Sequence, residues 1–329
     1  MAIGLTQQLA LESKREGTVK TVSGKKVIRN LFSGKPVSEV PMLLPIITLG
    51  TKILQVPEIS ILKDPSAIVQ GALQIQQLFK PHGMVIYDPS LETEALSGIS
   101  ERSVFTGQDI MQLGRIATAM ETTKRLHSTL GKGTAVFPAL PGPVELACRL
   151  SSADSINEKH ALEDLSTFLV ALAREYFESQ VDGLIVVENS FNFSDEVLVN
   201  AYDSFLATLG NMAQYYNVPL ILYLQGELNV LNFVKRPKAP SVNGFMLDAQ
   251  IKSGYLRESS ELGKNKTTGL IIPEDLLFQT SSSSLDGYLK EVIENFKDGR
   301  FMLSVPWRMS ENLKIDDLLN LFTAIKQAG

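Results

Sequence analysis

One cysteine, one tryptophan and three histidines in 329 residues leave little material for several kinds of chemistry. A single thiol, Cys148, excludes an internal disulfide and any metal site that needs two thiolates, and makes the cytosol the default compartment. Long apolar runs are missing too. The longest, 135–144, reaches ten residues only by counting three prolines and a glycine, against about 18 for a membrane-spanning helix. No apolar core follows a basic stretch at the N-terminus, so no secretory signal is expected. With 31 Lys+Arg against 36 Asp+Glu the formal net charge is −5, which speaks against nucleic acid as the main partner. No GxGxxG, P-loop, HExxH or GxSxG occurs, so the usual dinucleotide, nucleotide, zinc-protease and serine-hydrolase signatures are absent.

What is present is ordinary globular material, 44% hydrophobic and 7% aromatic, enough for one large core. Residues 1–40 stand apart: seven cations face three acids there, so that stretch carries +4 and the remainder −9. It reads as a polar helix over 1–16 and a second short helix over 25–32, ended by Ser33-Gly34. We take 1–40 as an N-terminal helical extension and 41–329 as the main domain.

From Pro41 onward a rhythm appears. Apolar runs without alternation fall at 41–47, 84–87, 135–139, 183–187, 219–224, 244–247, 268–272 and 301–305, as strands buried on both faces would give. Segments of helical spacing separate them: 62–79, 109–130, 158–180, 195–216, 274–296 with an interruption, and 312–328. Thr106, Ser194 and Ser310 stand where helix caps belong. Eight strands with intervening helices describe an α/β fold, a (β/α)8 or TIM barrel.

Such a barrel places its chemistry at the C-terminal strand ends. The residues there are Asp88, Glu188 and Asn189, Gln225 and Glu227, Asp248, and Trp307-Arg308, with Tyr87 ending one of the runs and Tyr223 next to last in another. Asp88, between Tyr87 and Pro89, is the candidate catalytic residue. Tyr87, Glu188, Asn189, Tyr223, Gln225, Asp248, Trp307 and Arg308 are candidate substrate ligands. His127 and His160 fall within helical segments, His82 precedes its strand on the wrong side for catalysis, and Cys148 sits among apolar residues as a packing group. The stretch 250–266, with Lys252, Arg257, Lys264 and Lys266, reads as a basic loop near the mouth.

The order of several segments resembles the uroporphyrinogen decarboxylase family in its broad sense, which includes corrinoid-dependent methyltransferases. The resemblance lies in Lys25-Lys26-Val27-Ile28-Arg29-Asn30-Leu31-Phe32-Ser33-Gly34-Lys35, in His82-Gly83-Met84-Val85-Ile86-Tyr87-Asp88, in Gly142-Pro143-Val144-Glu145-Leu146-Ala147, in Gly269-Leu270-Ile271-Ile272-Pro273-Glu274 and in Ser310-Glu311-Asn312. It implies a catalytic role for Asp88. Departures accompany it. The arginine-rich motif that true decarboxylases carry after strand one is replaced by Leu43-Leu44-Pro45-Ile46-Ile47-Thr48-Leu49-Gly50, and their histidine after the last strand by Ser304-Val305-Pro306-Trp307-Arg308. The zinc ligands of the methyltransferases are replaced by Tyr223, Gln225 and Ser304, so no metal is expected.

Three functions follow. One is a cofactor-free, decarboxylase-like lyase acting on a ring-shaped anion. The second is a zinc-free methyltransferase working with a corrinoid protein and a pterin or similar acceptor. The third is a non-catalytic paralogue that binds a ring compound. A small molecule is the expected ligand in each, a homodimer is open, and neither nucleic acid nor membrane is expected.

Overall fold

A computed structural model describes residues 23–88, 114–131, 133–150, 158–188, 196–224, 241–248, 265–278, 282–297 and 299–328. Eight parallel strands close into one barrel in sequence order: β1 Met42–Pro45, β2 Gly83–Ile86, β3 Ala135–Pro141, β4 Leu184–Glu188, β5 Leu220–Leu224, β6 Gly244–Asp248, β7 Thr267–Ile271 and β8 Phe301–Ser304. Strand β8 returns to β1 through Met42↔Leu303 and Leu43↔Ser304. The protein is a (β/α)8 TIM barrel, as the eight apolar runs foretell.

Alternation along each strand sorts side chains into two cores. Leu43, Val85, Phe137, Ile185, Ile221, Met246 and Met302 fill the barrel interior. Leu44, Met84, Val136, Val186, Leu222 and Leu303 face the helices. Both faces are dry, which is why the runs show no period of two in polarity. Phe137 spans the interior at a point where Gly183 has no side chain; a Cβ there would lie 2.1 Å from the ring.

The helices are α1 Gly24–Phe32, α2 Ile46–Leu54, α3 Glu58–Ile61, α4 Pro65–Phe79, α5 Gly114–Leu130, α6 Pro143–Leu150, α7 Glu158–Glu178, α8 Glu196–Tyr216, α9 Glu274–Leu277, α10 Ser282–Phe296 and α11 Ile315–Ala328. Helix α1 lies across the N-terminal end of the barrel. Its Ile28 and Leu31 join the interior core, and Lys25 pairs with Asp182 at 2.7 Å.

Several sequence expectations need correction. The first apolar run holds two elements: β1 stops at Pro45 and α2 starts at Ile46, because Ile46, Ile47 and Leu49 are as buried as the strand and no polar residue marks the join. Helix α4 starts at Pro65, with Asp64 accepting the N–H of Ser66 at 2.8 Å. Ser310 caps a turn, accepting from Asn312 N, and α11 begins only at Ile315. Cys148 is exposed, since it points away from the buried Leu146 side of α6. The expected helix over 1–16 and the caps Thr106 and Ser194 lie outside the described residues.

Candidate functional site at the barrel mouth

The C-terminal ends of the strands divide their residues by alternation. Inward come Tyr87, Tyr223, Asp248 and Trp307. Tyr223 and Trp307 belong to the interior core and Tyr87 packs against it. The Tyr87 and Trp307 rings lie 5.3 Å apart at 57°, and those of Tyr223 and Trp307 lie 4.9 Å apart at 63°. These are tilted and edge-on contacts, favoured by the ring quadrupoles. The Tyr223 hydroxyl donates to Asp248 Oδ1 at 2.8 Å. Burial raises the Asp248 carboxyl above its ordinary value, and the Tyr223 hydrogen bond opposes that in part.

The turn that carries Trp307 is held from both sides. Its carbonyl accepts from Thr48 Oγ1 of α2, and its indole N–H donates to Ser304 Oγ at 3.4 Å. Lys52 donates to the carbonyl of Ser310 at 2.7 Å, and Glu274 of α9 accepts the N–H of Ser310. Three elements thus fix one ring.

Outward, between strands and helices, lie the other carboxylates. Asp88, one residue beyond Tyr87, pairs with Arg115 near the start of α5. Glu188 is 1% exposed and accepts from the backbone N–H of Glu145 in the first turn of α6, where an anion meets the helix dipole. Burial drives its carboxyl well above the ordinary range, more than the Glu145 and Val144 N–H groups lower it. Gly142 makes room: a Cβ there would stand 1.9 Å from Glu188 Oε2. Arg149, in the last turn of α6, reaches the mouth by donating to the Tyr87 hydroxyl at 2.7 Å and to Glu145 Oε1 at 2.8 Å.

The structure therefore brings Tyr87, Tyr223, Asp248 and Trp307 together and separates Asp88 and Glu188 from them. Arg308 is exposed on the rim. Asn189, Gln225, Glu227 and most of the basic stretch 250–266 lie outside the described residues; Lys266 is at the opposite end, donating to the carbonyl of Val242. Sequence reasoning missed Arg115 and Arg149. Glu145 and Arg149 are an i,i+4 pair, and that spacing was available as a signal; nothing marked Arg115.

A zinc centre of the kind the resemblance suggests does not fit these residues. Tyr223 is committed to Asp248, Ser304 accepts from Trp307, and among the described residues no three of His, Cys, Asp and Glu converge.

No protein-family model matches the chain, and neither does any curated protein. Solved structures do. A methyltransferase from Methanosarcina mazei superposes with a TM-score of 0.74 at 16% identity, over 93% of this chain and 98% of that one. A putative vitamin-B12-independent methionine synthase from Listeria monocytogenes gives 0.54 at 11% identity, covering 88% and 95%. A B12-independent methionine synthase from Shewanella, in complex with selenomethionine, gives 0.54 at 13%, covering 82% and 87%. The chain is similar to these in fold. Among the described residues no helix is long and apolar enough to cross a membrane.

Proposed function

We propose that the chain is an enzyme that moves a methyl group at the barrel mouth, between a small molecule and the corrinoid of a separate protein. The observation that carries this reading is the inward-facing set Tyr87, Tyr223, Trp307 and Asp248. In a displacement at a methyl carbon, that carbon gains positive charge while the old bond lengthens. Aromatic faces and a carboxylate held in place lower the energy of such a charge more than water does. The acceptor's lone pair forms the new bond, and the donor keeps the electron pair of the broken one. An acceptor that bears an N–H or S–H gives up its proton to Asp248, whose raised affinity for protons suits a base. The likeness to a methyltransferase fold over 93% of the chain agrees with this reading.

A decarboxylase-like lyase needs cations to hold its anionic substrate. Among the described residues, Arg115 and Arg149 beside the mouth are bound to Asp88 and Glu145, Arg308 points to the exposed rim, and Asp88 is turned to the helix layer. These observations favour methyl transfer. The test supplies isotope-labelled methylcobalamin with thiol, amine and pterin acceptors and follows the label by mass spectrometry. Labelled product is expected, falling roughly 100-fold in Asp248→Asn. Absence of transfer to all three acceptor classes, or loss of carboxyls from a porphyrinogen, overturns the reading.

A further inference from the structure

We propose that the mouth binds a methylated ammonium cation, held against the Trp307, Tyr87 and Tyr223 rings with Asp248 as its counter-charge. The inference deepens the reading above and rests on the mouth being the site. Two tyrosines and a tryptophan pack together on one inner wall, the tyrosine centroids 5.3 and 4.9 Å from the shared indole, with Tyr87 and Asp248 partly exposed at the mouth; aromatic faces attract quaternary ammonium groups at roughly 6 Å or less. A fully methylated nitrogen has no N–H to satisfy, so a wall of rings costs it no lost hydrogen bond, whereas a primary ammonium on the same wall is left short of acceptors.

Charge selects the same ligand. Asp88 is matched by Arg115 and Glu145 by Arg149. Glu188 faces the helices, and burial favours its neutral form. Among the described residues the charge on the inner wall itself is the carboxyl of Asp248, hydrogen-bonded to the Tyr223 hydroxyl; Arg149, paired with Glu145, reaches the Tyr87 hydroxyl, and Arg308 stands exposed on the rim. An anion in that position faces a carboxylate and a set of ring faces, both repulsive. A cation with methyl groups matches both, and its approach favours the ionised form of Asp248.

The chain's one tryptophan is Trp307, so its emission reports the site directly. The full chain is titrated with tetramethylammonium, with choline and with the neutral carbon isostere of choline, by fluorescence and by calorimetry. Saturable binding of both cations is expected, with the isostere at least about tenfold weaker. Asp248→Asn, which preserves shape, should weaken both cations about tenfold and leave the isostere unchanged. Equal affinity for the isostere, no saturable binding of either cation, or an Asp248→Asn variant that binds as wild type would each overturn the inference. Methyl transfer from methylcobalamin without cation binding removes this inference alone. Cation binding without any methyl transfer supports it and removes the enzymatic reading.

Discussion

Tyr87 and Asp88 are neighbours in sequence, yet they belong to different parts of the molecule. Tyr87 turns into the barrel and joins a wall of rings; Asp88 turns to the helix layer and takes Arg115. The same division separates Asp248 from Glu188. Each ends a strand, each has a carboxyl whose proton affinity is raised by burial, and their surroundings differ throughout. Asp248 meets a phenol hydroxyl in the interior. Glu188 meets backbone N–H groups at the start of a helix. A strand-end carboxylate is therefore assigned its place by parity: inward it faces the barrel mouth, outward it ties the helical shell to the barrel. The outer collar also serves the inner wall, because α6, capped by Glu188, carries the Arg149 that holds the Tyr87 hydroxyl.

Crowding the collar is the strongest way to break this division. Gly142→Ala would place a Cβ 1.9 Å from Glu188 Oε2, and Glu188 is enclosed by α6 and by Tyr202 of α8. Overpacking of this kind costs about 1–3 kcal/mol, and the closeness of the clash puts Gly142→Ala at the upper end. Urea unfolding should show the loss as a lower midpoint. Where the variant is folded, tetramethylammonium should still bind with only a modest loss, because Trp307, Tyr223 and Asp248 do not depend on α6 and only the Arg149 hold on Tyr87 is disturbed. A variant as stable as wild type would show that α6 slides freely against β4 and that Glu188 does not anchor it.

Replacing the titratable group of the collar acts more gently, and its effect depends on pH. In the folded chain Glu188 keeps its proton to higher pH than the ordinary glutamate value of 4.5. Between those two values the folded state binds more protons than the unfolded one, so the contribution of Glu188 to stability is greatest below about 4.5 and falls as pH rises. Glu188→Gln does not titrate and lacks that decline. Its stability relative to wild type should therefore improve as pH rises above 4.5, as read by urea unfolding across a pH series. Asp248 contributes a fall of the same sign from its own ordinary value of 3.8, but it is present in both proteins and cancels. A difference that stays flat above pH 4.5 would mean that Glu188 is already ionised there in the folded state, held by the helix N-terminus against its burial.

How much of this could be read in the sequence follows from what each pattern encodes. Eight dry strands leave eight apolar runs, and those were legible because a parallel barrel buries both faces of every strand. The join at Pro45–Ile46 was not, since strand and helix there bury the same kinds of side chain. The four inward residues Tyr87, Tyr223, Asp248 and Trp307 stand among the candidates that the strand ends offer, together with Glu188, Asn189, Gln225 and Arg308, with nothing to set them apart. The outer partners were not legible, because a run without alternation carries no parity: nothing in Val186-Val187-Glu188 says which residue faces in. Asp88 drew attention as an acid at a strand end, and its counter-ion Arg115 lies 27 positions away, beyond any local signal. Asn189, Gln225 and residues 250–264 of the basic stretch fall outside the described residues.

The smallest expected effect sharpens the comparison most, because it alters one hydroxyl on the inner wall. Tyr223→Phe keeps the ring against Trp307 and deletes the bond to Asp248 Oδ1. That bond favours the ionised carboxyl, in opposition to burial, so its loss should move the Asp248 midpoint further upward. Stability should change by about 1 kcal/mol or less, the net worth of a single hydrogen bond. A pH titration of Trp307 emission should show the midpoint displaced upward in Tyr223→Phe and absent in Asp248→Asn. Cation binding should then need a higher pH in Tyr223→Phe and reach wild-type affinity there, since rings and carboxylate are both still in place. If Tyr223→Phe instead lost binding at every pH, the hydroxyl itself would be the ligand-holding group, and Asp248 would serve to orient it rather than to supply the counter-charge.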